Sequence, residues 1–413
     1  MMNIPNFIPV RQIFPDRPGV DLSVAIPTCM EVFRSKISPG SRIAIGVGSR
    51  GITGYREQIL EVLRTIRDSG AEPFLFPAMG SHGGGTASGQ REVLASYGIT
   101  EANMGCEIRC SMDVEEIGKT TSGVEVACSS EVLRADGILL INRIKPHTDF
   151  FGTLGSGLVK MSVVGLGKQV GATRFHLAAM QFGYQESLQA IAEHMFRNTP
   201  LLGGVAILER EDHQTAEVHG IPAEDLLQRE PELLQKARSM MPTLPFETID
   251  LLIIDEIGKN ISGAGMDPNI TQRSIHGYSS LPIPPDERRP FVKRIYVRDL
   301  TDETHGNGIG IGMADAISDR LLSKLDREKT FRNALTALTP QSAKMPIDFK
   351  KDSLAIQAML DSLPIVGGPG EAKVVRIKNT LELTELTVTQ NLFAEATRAG
   401  RIVASQHVWP SLV

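Results

Sequence analysis

The chain has 413 residues, 41% hydrophobic and 22% charged, with a net charge of −5 and a pI near 6.0. That length exceeds one ordinary core, so two domains are expected, and the composition is that of a packed globular protein. The mild acidity argues against a nucleic-acid or acidic-membrane surface, while leaving room for a local anion site. Four cysteines, Cys29, Cys106, Cys110 and Cys128, are too few for a disulfide framework. Cys106 and Cys110 read as small packed hydrophobes, and no Cys-x-x-Cys supports a zinc or iron–sulfur site. The N-terminus lacks an apolar signal-peptide core, and no apolar run reaches bilayer length, so a cytoplasmic protein is expected.

In chain order, residues 1–20 read as an extended arm punctuated by Pro5, Pro9, Pro15 and Pro18. Residues 41–48 predict a strand ending in glycine. Residues 55–69 predict an amphipathic helix with Ile59, Leu60, Val62, Leu63 and Ile66 on its apolar face. A second strand follows at 72–77, then the loop Ala78 to Thr86, then a helix starting near Thr86. This recurrence argues for a parallel sheet with crossover helices. Residues 101–135 are less regular, with short strands expected at 106–109 and 123–128.

The very apolar segment 136–142 reads as a buried strand. It runs into a basic, glycine-rich loop expected over 145–176. A helix is expected at 183–196, a strand at 204–208 and a charged surface helix at 222–240. Two prolines in 241–246 mark a linker, which places the lobes at 1–247 and 248–413. The second lobe repeats the pattern, with strands near 251–255, 292–297 and 373–377 and helices near 312–325, 328–338 and 353–362. A proline-rich surface loop covers 279–287. The expected fold is two α/β lobes with mostly parallel sheets and an active-site cleft between them.

Several residues in these loops could carry chemistry. His82 lies just after Gly80 and before three glycines, where a backbone can approach a ligand closely. His147 follows Lys145-Pro146, and the proline defines the backbone ahead of it. Gly155-Ser156-Gly157-Leu158-Val159-Lys160 offers backbone N–H groups and an ammonium, as a phosphate requires. It fits neither the Walker nor the Rossmann pattern. His176 comes 16 residues after Lys160. Lys259 lies at the end of the first strand of the second lobe, a common ligand-facing position. His305 sits in a glycine-rich segment that could face a cleft. His194, His213, His219 and His276 read as structural or solvated. No Gly-x-Ser-x-Gly elbow or His-Glu-x-x-His is present, so hydrolase chemistry lacks its parts.

As an ordered set, the Gly-Ser-His82-Gly loop, Pro146-His147, Lys160 and His176 resemble the nickel-pincer lactate racemase family and its 2-hydroxyacid racemase and epimerase relatives. The likeness covers most of residues 40–180 and is looser beyond. It implies that Lys160 carries a nickel-pincer nucleotide as a thioamide. In that cofactor, pyridinium-3,5-bisthiocarboxylic acid mononucleotide, a carbon and two sulfurs hold the metal. His176 would be the protein's one nickel ligand, and His82 and His147 the acid/base pair. Gly155 and Gly157 would help hold the mononucleotide. Arg50 would bind the substrate carboxylate, although the acidic residue of the family's neighbouring pattern is absent here. Lys259 is the second candidate for that role, and His305 a third substrate-side residue.

The implied reaction inverts C2 of a 2-hydroxy acid by hydride transfer, assisted by histidines whose ordinary pKa lies near working pH. A neutral imidazole also suits nickel. The aromatic that faces lactate in the family has no counterpart, which points to a larger or more polar acid. Implied partners are the small acid and the cofactor-synthesis proteins, and a homo-oligomer is compatible. An NAD-type oxidoreductase and a non-catalytic nickel- or nucleotide-binding relative are the alternatives.

Overall fold

The computed structural model describes residues 6–48, 51–148, 152–274 and 290–412. The chain divides into two units, Asp16–Met241 and a second formed by Met1–Pro15 with Pro242–Val413. The arm therefore departs from the expected first lobe of 1–247. Its strand β1 (Ile8–Gln12) pairs antiparallel with two strands near the far end of the chain. Such long-range pairing leaves no local mark in the sequence.

The Asp16–Met241 unit holds β2 (Arg42–Val47), β3 (Glu72–Pro77), β4 (Val114–Lys119), β5 (Glu125–Ser129), β6 (Gly137–Arg143), β7 (Leu201–Glu209) and β8 (Thr215–Pro222). Its main sheet has the order β3-β2-β6-β7-β8, parallel except for β8. β4 and β5 form a separate hairpin. The parallel strands are buried on both faces, which explains their nearly continuous apolar sequences. Along β6, Ile138 and Leu140 enter one core while Leu139 and Ile141 enter the other. Ala44, Phe74 and Phe76 join the first core; Ile43, Ile45 and Leu75 join the second. The Tyr55–Asp68 helix closes the second core with Ile59, Val62, Leu63 and Ile66, close to its expected span.

The other unit holds β9 (Thr248–Ile254), β10 (Phe291–Val297), β11 (Ala316–Ser318), β12 (Ile347–Phe349), β13 (Val374–Ile377), β14 (Glu385–Val388) and β15 (Ile402–Ala404). The sheet order is β12-β11-β10-β9-β13-β14-β1-β15. β12 through β13 run parallel, and β14, β1 and β15 extend the sheet antiparallel. At the carboxyl ends of β9 and β10, Asp255 takes a two-bonded ion pair from Arg376 at 2.7 Å and another from Arg298 at 2.7 Å. Trp409 packs over Arg376.

Three expectations change. The 145–176 loop is largely helical: an α turn at Leu158–Lys160, a π turn at Met161–Gly165, then the Lys168–Phe182 helix. Glycine disfavours helix in isolation, which masked this run. Here the glycines allow close packing. A Cβ on Gly165 would lie 2.7 Å from the Ala78 carbonyl oxygen, at the end of β3. The expected 312–325 helix is instead β11 followed by a short helix, Asp319–Lys324, capped by the Ser318 side chain on the Leu321 N–H. The strand expected at 106–109 is a single bridge between Leu75 and Ile108. The proline-rich 279–287 segment lies outside the described residues. Among the described residues, no helix is long and apolar enough to cross a membrane.

Candidate active site

In an open α/β sheet, ligands gather at the carboxyl edge where the strand order reverses. In the Asp16–Met241 unit that point lies between β2 and β6, since β3 adds on one side of β2 and β6 on the other. The Tyr55 hydroxyl spans the two strands there. It donates to the Ile141 carbonyl at 2.9 Å and accepts from the Gly48 N–H at 3.2 Å. Arg143, at the end of β6, pairs with Glu209 of β7 and donates to the Gly51 carbonyl at 2.8 Å. His82 follows the carboxyl end of β3, and His147 that of β6.

The structure brings Lys160 and His147 into contact, with Lys160 Nζ 2.5 Å from His147 Nε2. The ammonium is the donor, so Nε2 accepts and the imidazole proton belongs on Nδ1. Burial holds the His147 pKa well below its ordinary value, helped by the Lys160 and Lys145 charges and by His176. A chain of ring contacts runs from His147 to His176. Tyr184 lies 5.6 Å from the His147 ring, and Phe175 lies 5.2 Å from Tyr184 and 5.4 Å from His176. Sequence reasoning missed both aromatics: the segment that carries Phe175 read as loop, and Tyr184 stood unmarked at the start of the helix expected at 183–196.

Gly155 and Gly157 shape a tightly packed turn. Ser156 and Lys145 exchange backbone hydrogen bonds of 2.9 and 2.8 Å, which folds the turn back on the strand end. A Cβ on Gly155 would meet the Lys145 carbonyl oxygen at 2.6 Å, and one on Gly157 would meet Glu230 Oε1 at 2.3 Å. Glu230 is fully buried, and its Oε2 accepts from the Val159 N–H at 2.9 Å. Asn142 Nδ2 holds the Gly157 carbonyl at 2.8 Å. A carboxyl group therefore already occupies the start of the Lys160 turn, where an anionic phosphate was expected. Burial raises the Glu230 pKa to about 7, against the lowering effect of the Val159 and Leu158 N–H groups. The sequence signal for Glu230 was hidden in a helix that read as charged surface.

The His82 loop packs on the same helical run. A Cβ on Gly80 would meet Val164 Cγ1 at 2.8 Å and Ala172 at 3.6 Å, and one on Gly85 would meet Gln169 Oε1 at 2.3 Å. Ala172 lies one turn before His176, on the same helix face. The glycine runs around His82 thus permit close approach to the helix that carries His176.

The remaining candidates separate. Arg50 lies outside the described residues. In the second unit, the Lys259 N–H donates to Thr304 Oγ1 at 3.4 Å, and its ammonium donates to Asn333 Oδ1 at 2.6 Å. His305 is exposed, with φ at 48°, and its carbonyl accepts from Lys329 at 2.6 Å. Lys259 and the 301–305 segment are therefore neighbours.

Among the solved structures that resemble the chain, one does so over most of its length. It is the lactate racemase apoprotein from Thermoanaerobacterium thermosaccharolyticum, with a TM-score of 0.56 at 14% identity, covering 92% of this chain and 99% of that one. The likeness establishes the α/β fold class. No family model and no curated protein matches the sequence.

The donor set bears directly on a metal cofactor. Among the described residues, no cluster of three or more His, Cys, Asp or Glu side chains could hold a metal ion. A partly buried amine and a partly buried imidazole on one helical run fit a group anchored at Lys160 and His176.

Proposed function

We propose that this chain is a racemase or epimerase that inverts C2 of a 2-hydroxy acid. The observation that carries the reading is the grouping of His147, Lys160 and His176, with the His82 loop packed on the helix that bears His176. The likeness to a lactate racemase apoprotein supports it. Lys160 and His176 would hold a nickel-pincer nucleotide, with Lys160 as the point of covalent attachment. When bound, that group supplies a reversible hydride acceptor for the C2 hydrogen, leaving a planar 2-keto acid that can be refilled from either face.

The chain's own residues handle the protons. His147, kept neutral by burial, accepts the hydroxyl proton of one enantiomer and returns it. His82 does the same for the other enantiomer. Tyr184 and Phe175 shield this region from water, which strengthens the electrostatic interactions within it.

The test is made on protein from a host that produces the cofactor. Nickel and an added mass on the Lys160 peptide are expected, together with racemisation in a screen of 2-hydroxy acids and aldonates. Racemisation by protein with unmodified Lys160 and no nickel would refute the reading.

A further inference from the structure

Lys168 is the one lysine of the 145–176 stretch to be fully buried, with 1% of its surface exposed. Its backbone is left-handed, with φ at 53°, a conformation that a non-glycine residue adopts only when its surroundings enforce it. The ammonium donates to the Pro77 carbonyl at 2.7 Å and to Gln90 Oε1 at 3.3 Å, 5.9 Å from the Phe76 ring. Gln90 has no exposed surface, and its Nε2 donates to the Gly80 carbonyl at 2.8 Å. Burial lowers the amine's pKa to about 8, against smaller raising effects of Cys110, Cys128 and Glu131.

An ammonium buried among neutral acceptors is an expensive way to fill space, and Met or Leu would fill it without a desolvation penalty. What the lysine adds is a polar link among three segments. Pro77 ends β3, Gln90 belongs to the Ala87–Ser96 helix, and Lys168 begins the helix that carries His176. Through Gln90 the link reaches Gly80, two residues before His82. Gly80 is itself left-handed, with φ at 57°, and is pressed against Val164.

We infer that Lys168 is a positioning residue: through Gln90 it fixes the turn from Pro77 to His82, and so sets where the His82 imidazole stands relative to the His176 helix. The inference rests on the reading of His82 as an acid/base group. It assigns Lys168 no contact with substrate.

Two variants test it. Lys168→Met removes the link outright. Gln90→Glu keeps a partner for the ammonium but takes away the N–H that holds the Gly80 carbonyl. The first readout is the histidine ring NMR spectrum of cofactor-free protein, with the His82 signals assigned by their loss in His82→Gln. Both variants are expected to shift or broaden the His82 ring signals and leave those of His147 and His176 in place. Gln90→Glu is expected to keep the wild-type melting temperature. In loaded enzyme, kcat for racemisation should fall at least tenfold in both variants, with KM within twofold. Gln90→Glu carries the test if Lys168→Met fails to fold. Unchanged His82 signals in Gln90→Glu would overturn the inference, as would equal disturbance of all three histidines. If the wild type racemises no 2-hydroxy acid, the functional reading fails, while the NMR comparison still decides the role of Lys168.

Discussion

Lys160 Nζ and His147 Nε2 stand 2.5 Å apart, so an ammonium donates to an imidazole that burial already keeps neutral. The contact couples the chemistry of the two side chains. A positive charge beside His147 makes its protonation harder. Conversion of the amine to an uncharged amide would remove that charge and let the His147 pKa rise.

Lys160→Met mimics the loss of charge without a cofactor. The His147 pKa is expected to rise relative to wild type yet remain depressed, because burial is its largest cause and persists. Ring NMR titration of the apoprotein measures this. A His147 pKa that falls or stays fixed would break the proposed coupling.

His147→Gln and His82→Gln are each expected to lower racemisation by ~10²–10⁴-fold, the usual contribution of a positioned acid or base. Nickel content should be retained in both. Chiral chromatography of the product mixture reads the first and metal analysis the second. Full activity in either variant would remove that residue from the mechanism.

Glu230→Gln tests the buried carboxyl at the start of the Lys160 turn. Its folded pKa, about 7, stands above the ordinary glutamate value. The folded state therefore keeps a proton that the unfolded state sheds, and wild-type stability falls as pH rises from about 4.5 to 7. The loss is complete above pH 7 and amounts to roughly 3 kcal/mol for a shift of that size. Glutamine keeps an acceptor for the Val159 N–H and does not ionise. Denaturant unfolding at several pH values should show a flatter profile, with the variant gaining on wild type toward pH 8.

Gly157→Ala places a methyl group 2.3 Å from Oε1 of the same carboxyl group. The expected cost is about 1–3 kcal/mol of stability, as for overpacking in a filled interior. Because Glu230 must move, the Lys160 turn loosens too, and less cofactor should attach at Lys160 than in wild type. Thermal unfolding and intact mass measure the two effects.

The sequence by itself determined the alternation of strands and helices. The apolar run of β6, the amphipathic Tyr55–Asp68 helix and the strand β3 follow from patterns that span a few residues. It also placed His82 and His147 just past the ends of parallel strands, because strand ends show in the glycines and prolines that follow them. Only the tertiary structure decided the rest. Whether glycine marks a loop or a close contact depends on what lies opposite, and for Gly157 and Gly165 those partners are Glu230 and Ala78. The arm's place in the second sheet rests on pairing with β14 and β15 at the other end of the chain.

The 145–176 stretch joins both lessons. Its sequence supplied the amine and the imidazoles. Folding supplied the π turn that separates Lys160 from His176 along one helical run, and the burial that keeps His147 neutral. It also gave Lys168 its partners, Pro77 and Gln90, which no local pattern could reveal. Residue types are local properties, whereas burial and charge proximity arise only once distant segments pack together.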